Sequence, residues 1–178
     1  MLPPGHIAAG YLTALAAIKI FKPDFDQQQI NQLLVLGMFW GFAPDLDVFY
    51  SFYKLKSFTS DINKADHRKF VSHSPVLWLA VGAIFYFFVN SSFLKFNALV
   101  FVAGSFSHFI LDSIEYGIPW LWPFKSRLFA IINPGKKIFE VKEKSFFKHW
   151  TAFVKFYITR PTFYFELLII SLFVIISI

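Results

Sequence analysis

Apolar residues gather into five stretches along the chain, roughly Ile7–Phe21, Leu33–Ala43, Val76–Val89, Ala98–Leu111 and Phe163–Ile178. Stretches of this length and character predict α-helices, and their number predicts an all-α, polytopic membrane helical bundle of about five short transmembrane helices. Most fall short of the ~20 residues that a clean span needs, so flanking aromatics and buried polar ends must complete them. The second is the shortest and suits a re-entrant segment. The opening residues Met1–His6 carry no basic side chain and lead straight into an apolar run, which does not fit a cleavable signal peptide.

Composition reinforces the membrane reading. Of 178 residues, 56% are hydrophobic, 16% are charged and 26 are Phe. One soluble core of this size has too little interior to hide so much apolar surface. Cysteine is absent, which removes disulfides, thiolate nucleophiles and sulfur metal ligands.

The net charge of +6 would point to nucleic acid in a soluble protein. Here the basic residues are grouped between the apolar stretches, so membrane topology explains them and no nucleic-acid partner is expected. Lys54, Lys56, Lys64, Arg68 and Lys69 lie between the second and third stretches, and a further group runs from Lys125 to Arg160. Only Lys19, Lys22 and Lys95 of the 17 Lys and Arg lie elsewhere. The two basic loops are therefore expected in the cytoplasm, with the N-terminus cytoplasmic and the C-terminus outside. The predicted organisation is a membrane-embedded region over 1–125, a basic cytoplasmic loop over 126–162 and a C-terminal transmembrane helix over 163–178. Pro119–Phe124, Pro-Trp-Leu-Trp-Pro-Phe, fits either an interfacial aromatic belt or an ordinary aromatic loop.

Ionisable residues in or beside apolar spans are costly and default to function. His6 opens the first stretch. Asp45 and Asp47, in Ala-Pro-Asp-Leu-Asp, close the second. His67, Arg68 and His73 precede the third, and His108 and Asp112 close the fourth. Under the topology above, which was set by Lys and Arg position, all of them fall at the cytoplasmic end. His108 and Asp112 are four residues apart on one helical face, and Asp45 and Asp47 flank a helix end where both carboxylates can turn inward. Imidazole and carboxylate without sulfur suit Zn²⁺, Mn²⁺ or Fe²⁺, one ion or two. Each motif alone also fits an ordinary role: a helix cap for His6, an Asx turn for Pro-Asp-x-Asp, an internal hydrogen bond for His108–Asp112. Their convergence is what points to a metal. Asp61, Asp66 and His149 lie in basic surroundings and read as solvated.

An internal echo groups the same residues. His6 precedes Asp45 by the interval at which His73 precedes Asp112, and Val35–Asp45 overlies Val102–Asp112 with Val, Gly, two Phe and Asp matched. This predicts two parallel helical hairpins, each with a His at its start and an Asp at its end, followed by the C-terminal helix.

These residues resemble the YdjM-like family of inner-membrane, metal-dependent hydrolases. That pattern is an N-terminal His, Pro-Asp-x-Asp, His-Arg followed by Ser-His-Ser, and Ser-His-x-x-x-Asp leading to Gly and Pro-Phe. Here it reads as His6, Pro44–Asp47, His67-Arg68, Ser72–Ser74, Ser107-His108 with Asp112, Gly117 and Pro123-Phe124. The resemblance spans roughly residues 1–125. One departure is Lys69, where the family usually has Gly.

Residues and resemblance together give the expected chemistry: a hydrolase with a His/Asp metal site at the cytoplasmic face. His6, Asp45, Asp47, His73, His108 and Asp112 would hold metal, His67 would act as general acid or further ligand, and Arg68 would clamp an anionic group. Membrane lipids are the expected neighbours, and a phosphoester, in particular of a lipid, is the expected substrate class. The competing expectation is a small transporter or a proton or ion relay using the same His/Asp set. Polar groups strung through the bilayer would favour that alternative, and polar groups gathered at one end would favour surface chemistry.

Overall fold

The computed structural model describes residues 1–47, 49–50, 53, 71–115, 117–132 and 146–178. Among them are six α-helices: α1 (Pro3–Phe21), α2 (Gln27–Phe42), α3 (Pro75–Phe88), α4 (Ser92–Asp112), α5 (Phe146–Tyr157) and α6 (Pro161–Ser177). There is no strand among the described residues, only one antiparallel bridge between Ile118 and Phe129. The all-α expectation holds, and all five apolar stretches lie within or largely overlap helices.

Proline opens three of the helices. It stands in the first turn of α1, α3 and α6, where a missing N–H costs no hydrogen bond. Helix α1 stops at Lys22, which turns left-handed at φ 45°. Asp26 then starts α2 through a capping box: its carboxylate accepts from Gln29 N at 2.8 Å, and Gln29 Oε1 accepts from Asp26 N at 3.2 Å. The second apolar stretch is thus the back of one continuous helix. Helix α2 tightens at its end into a 3₁₀ turn, Ala43–Leu46, and a second 3₁₀ turn, Val71–His73, leads into α3.

Helix α4 packs on α1, α2 and α3, and α1 also packs on α2 and α6. The core behind the site is formed by Ala14, Ile18, Leu33, Phe96 and Val100, with Phe25, Trp40 and Phe93 packed against it. Where α1 crosses α2 the backbones meet. A Cβ on Gly10 would lie 2.1 Å from the Gly37 carbonyl oxygen, so only glycine permits this approach. Small residues at such crossings are the usual means of packing helices when lipid supplies no hydrophobic drive between them.

By length and composition, only Ser92–Asp112 among the described residues is long and apolar enough to cross a membrane as a single helix. Thr151–Tyr157 and Pro161–Ser177 pass together, but they are bent by 84° at the break between them. Pro75–Phe88 is apolar and shorter. Helix α5 is an addition to the expected pattern, since it lies inside the expected loop over 126–162. Its sequence, Phe-Phe-Lys-His-Trp-Thr-Ala-Phe-Val-Lys-Phe-Tyr, is interrupted by polar residues every few positions and so never registers as an apolar run.

Candidate metal centre

The beginnings of α1 and α3 and the ends of α2 and α4 meet at one end of the bundle. His6 lies in the first turn of α1, Asp45 in the 3₁₀ turn after α2, His73 in the 3₁₀ turn before α3, and His108 and Asp112 in the last turns of α4. The two helix starts that carry histidine and the two helix ends that carry aspartate thus come together. His6 and His73, at the two hairpin starts, face Asp112 and Asp45 respectively across the centre, at 3.3 Å and 3.6 Å.

One ligand atom from each of Asp45, His73, His108 and Asp112 can be chosen so that all four lie within 4.8 Å of one another, and all four residues are buried. The Nε2 atoms of His73 and His108 are 3.4 Å apart. Asp45 Oδ1 is 3.6 Å from each of them, and Asp112 Oδ2 is 3.5 Å from His108 Nε2 and 3.9 Å from His73 Nε2.

The second ring nitrogens explain which atoms point inward. His108 Nδ1 is 2.9 Å from the Gly41 carbonyl oxygen, which can only accept, so Nδ1 carries the proton and Nε2 offers its lone pair to the centre. Pro44 has no N–H with which to close a 3₁₀ bond onto that carbonyl, which helps to leave it available. His73 Nδ1 likewise faces Asp47 Oδ2 at 2.9 Å, and the Ser72 hydroxyl also donates to Asp47 Oδ2. Two imidazole lone pairs facing each other at 3.4 Å repel unless a proton or a metal cation lies between them. Asp47 is therefore placed behind His73 as the carboxylate that orients it, rather than at the centre with Asp45 and Asp112.

His6 completes the cluster from above. Its ring stacks on His108 with centroids 3.8 Å apart, and its Nε2 lies 3.3 Å from Asp112 Oδ1 and 4.0 Å from Asp45 Oδ2. It is fully buried, yet neither ring nitrogen has a hydrogen-bond partner. A buried imidazole left in this state is costly unless something else satisfies it, and a cation at the centre would do so. Asp112 Oδ1 also accepts from Met1 N at 2.8 Å.

Burial by itself would raise the Asp45 carboxyl, but the imidazoles of His73, His108 and His6 hold it below the usual carboxylate range. For His73 the balance runs the other way. Burial would lower it, but the carboxylates of Asp45, Asp47 and Asp112 raise it to about 9. A proton at His73 thus occupies the role that a metal would take. Donor set, burial, convergence and oriented rings all fit a divalent ion.

His67 and Arg68, expected to act in catalysis and in anion binding, lie outside the described residues, as do Asp61, Asp66 and the side chain of His149. Two acids beyond the expected set do appear. Glu166, near the start of the fifth apolar stretch, is buried at 4% exposure, and its Oε1 accepts from Gly5 N at 3.1 Å. Glu115, one turn beyond Asp112, is fully buried and pairs with Arg160 and with Thr162 Oγ1, the latter at 2.8 Å. An ionisable residue within an apolar run was the signal for Glu166, and its partners, distant in sequence, could not be read from the chain.

The family comparison covers every one of these elements: the model of the YdjM inner membrane protein family matches residues 1–178. The chain belongs to that family. The match extends beyond residues 1–125, which carry the motifs; α5 and α6 carry none, and the elbow between them and α6 are tied to the site through Arg160 and Thr162, which hold Glu115, and through Glu166. No curated protein and no solved structure matches the chain.

Proposed function

We propose that this inner-membrane family member is a metal-dependent hydrolase whose metal is held by Asp45, His73, His108 and Asp112, with His6 as a further ligand. The observation that carries the reading is the convergence of those four buried ligand atoms within 4.8 Å, with His73 Nδ1 and His108 Nδ1 both tied back to acceptors. Zn²⁺, Mn²⁺ and Fe²⁺ all accept such a nitrogen and oxygen set. When bound, the metal supplies Lewis acidity and makes a water nucleophilic near neutral pH.

The chain does the rest. Asp47 and the Gly41 carbonyl hold the two imidazoles in register, and the helix ends exclude bulk water from the centre. Arg68, in the basic segment before His73, binds an anionic group through its planar fork, and His67 delivers a proton to the leaving group. A phosphoester of a lipid is the substrate class this favours, since a basic loop beside headgroups collects anions.

The same reading carries the topology. The apolar side chains of Leu79, Val81, Ile84, Phe87 and Phe88 on α3, and of Leu167, Leu168, Leu172 and Ile175 on α6, are exposed and suit contact with lipid. Four short helices in two hairpins and α6 then make five spans, with the metal centre and both basic loops at the cytoplasmic face. The grouping of ionisable residues at one end supports surface chemistry over a relay through the bilayer.

The test is hydrolysis of a panel of phosphoesters, soluble and lipid, by purified protein supplied with Zn²⁺ or Mn²⁺. Arg68→Lys is expected to keep its metal and lose most turnover, because a point charge cannot replace a bidentate fork. Absence of hydrolysis of any phosphoester by metal-loaded protein would remove the proposed substrate class.

A further inference from the structure

We infer that Glu166 of α6 is a positioning residue for the metal centre: it caps the first turn of α1 from a distant helix and so sets His6. The inference rests on the metal reading above. Helix α1 cannot cap itself, because the preceding residue is Leu2, which has no side-chain acceptor, and Pro3 and Pro4 have no N–H to offer. The first available amide is that of Gly5, the residue before His6. It donates a shared hydrogen bond to Glu166 Oε1 and to the Leu2 carbonyl oxygen, each at 3.1 Å. A carboxylate at the positive end of a helix is the favoured charge there.

The approach is close. A Cβ at residue 5 would lie 2.8 Å from Glu166 Cγ, so glycine is what lets the acid reach the backbone. The Tyr157 hydroxyl donates to Glu166 Oε2, fixing the carboxylate from its other side. The same elbow between α5 and α6 is fastened a second time, where Arg160 and Thr162 hold Glu115, three residues beyond Asp112. The C-terminal part of the chain thus grips the backbone next to His6 and the segment just after Asp112. The hold matters for His6, since its Nδ1 has no partner and its Nε2 meets only the Asp112 and Asp45 carboxylates of the centre itself. Outer residues that orient ligands cost ~10–100-fold in metal affinity when removed.

Co²⁺ alone is the probe, titrated into full-length protein in detergent and followed by its visible ligand-field bands. Glu166→Ala is expected to weaken Co²⁺ binding by at least ~10-fold and to alter the bands, while Glu166→Gln, which keeps an acceptor for Gly5 N, restores both nearly to wild type. Phe173→Ala is the structural control. It removes an edge contact to Tyr11 at 4.9 Å on the same α1–α6 interface, away from the site, and is expected to lower the melting temperature without changing the bands or the affinity. Tyr157→Phe leaves the Gly5 bond in place and is expected to give a smaller loss in the same direction. It decides the matter if Glu166→Ala does not fold. Wild-type Co²⁺ binding with unchanged bands and affinity in Glu166→Ala, or in Tyr157→Phe where that variant decides, overturns the positioning role and leaves the metal centre standing. No Co²⁺ binding by wild type overturns both.

Discussion

On the proposed reading, His73 is the residue at which a proton and a metal would compete. In the metal-free protein its partners raise it from the ordinary histidine value to about 9. A group raised on folding stabilises fully below its unfolded value, and that stabilisation is lost as pH rises through the folded value. The metal-free protein is therefore expected to lose stability between pH 6.5 and about 9. Over the same window metal affinity is expected to rise, because ligation requires the neutral ring. Melting curves with chelator and with Zn²⁺ across this range check both trends, and parallel curves would show that His73 is not a ligand. Asp47 makes a second test. Asp47→Asn is expected to weaken metal binding by ~10–100-fold while full occupancy stays reachable at high metal, as befits a residue that orients a ligand. Equilibrium dialysis reads this directly, and abolition of binding would instead place Asp47 at the centre. The sequence showed Asp45 and Asp47 as equals, one residue apart on either side of Leu46. Only the fold of the 3₁₀ turn separates the carboxylate that faces the centre from the one that faces His73 Nδ1.

Helix ends build the site, so helix packing governs it. Gly41 supplies two things at once: no Cβ, where a methyl would lie 2.4 Å from the His6 carbonyl oxygen, and the acceptor for His108 Nδ1. Gly41→Ala is expected to cost stability on the scale of overpacking, ~1–3 kcal/mol, and to lose metal affinity as well. Gly82→Ala, whose added methyl meets a Val102 side-chain methyl between α3 and α4, is expected to cost stability alone. Thermal melts paired with metal titration separate the two, and equal metal affinity in both variants would contradict the coupling of this crossing to the site. At this scale much was legible. Runs of apolar residues marked five helices, and the equal His-to-Asp intervals marked their pairing. Helix α5 was not legible, since its apolar and polar residues interleave, and neither was the docking of the C-terminal elbow, which depends on contacts between residues far apart in the chain.

For the whole molecule, the basic loops and the site should share one side of the membrane. A reporter fused after Lys142 is expected to read as cytoplasmic and one fused after Ile178 as external. Both on one side would mean that α6, which is bent by 84° from the preceding helical segment, does not cross. The buried histidines and carboxylates at the helix ends are the central feature, and on the proposed reading a bound cation would make their burial tolerable. Stripping that cation should loosen all four helix ends together, since Asp45 and Asp112 come from different hairpins. The most direct measurement is metal content, by mass spectrometry, of protein purified in detergent, for wild type and Asp112→Asn side by side. Asn matches Asp in size but lacks the charge that balances a dication. The account predicts one or two transition-metal ions in wild type, little in the variant, and near-equal expression of both. Wild-type protein that contains no transition metal, and takes up none from Zn²⁺ or Mn²⁺, would contradict it and leave the cluster as a proton-holding network.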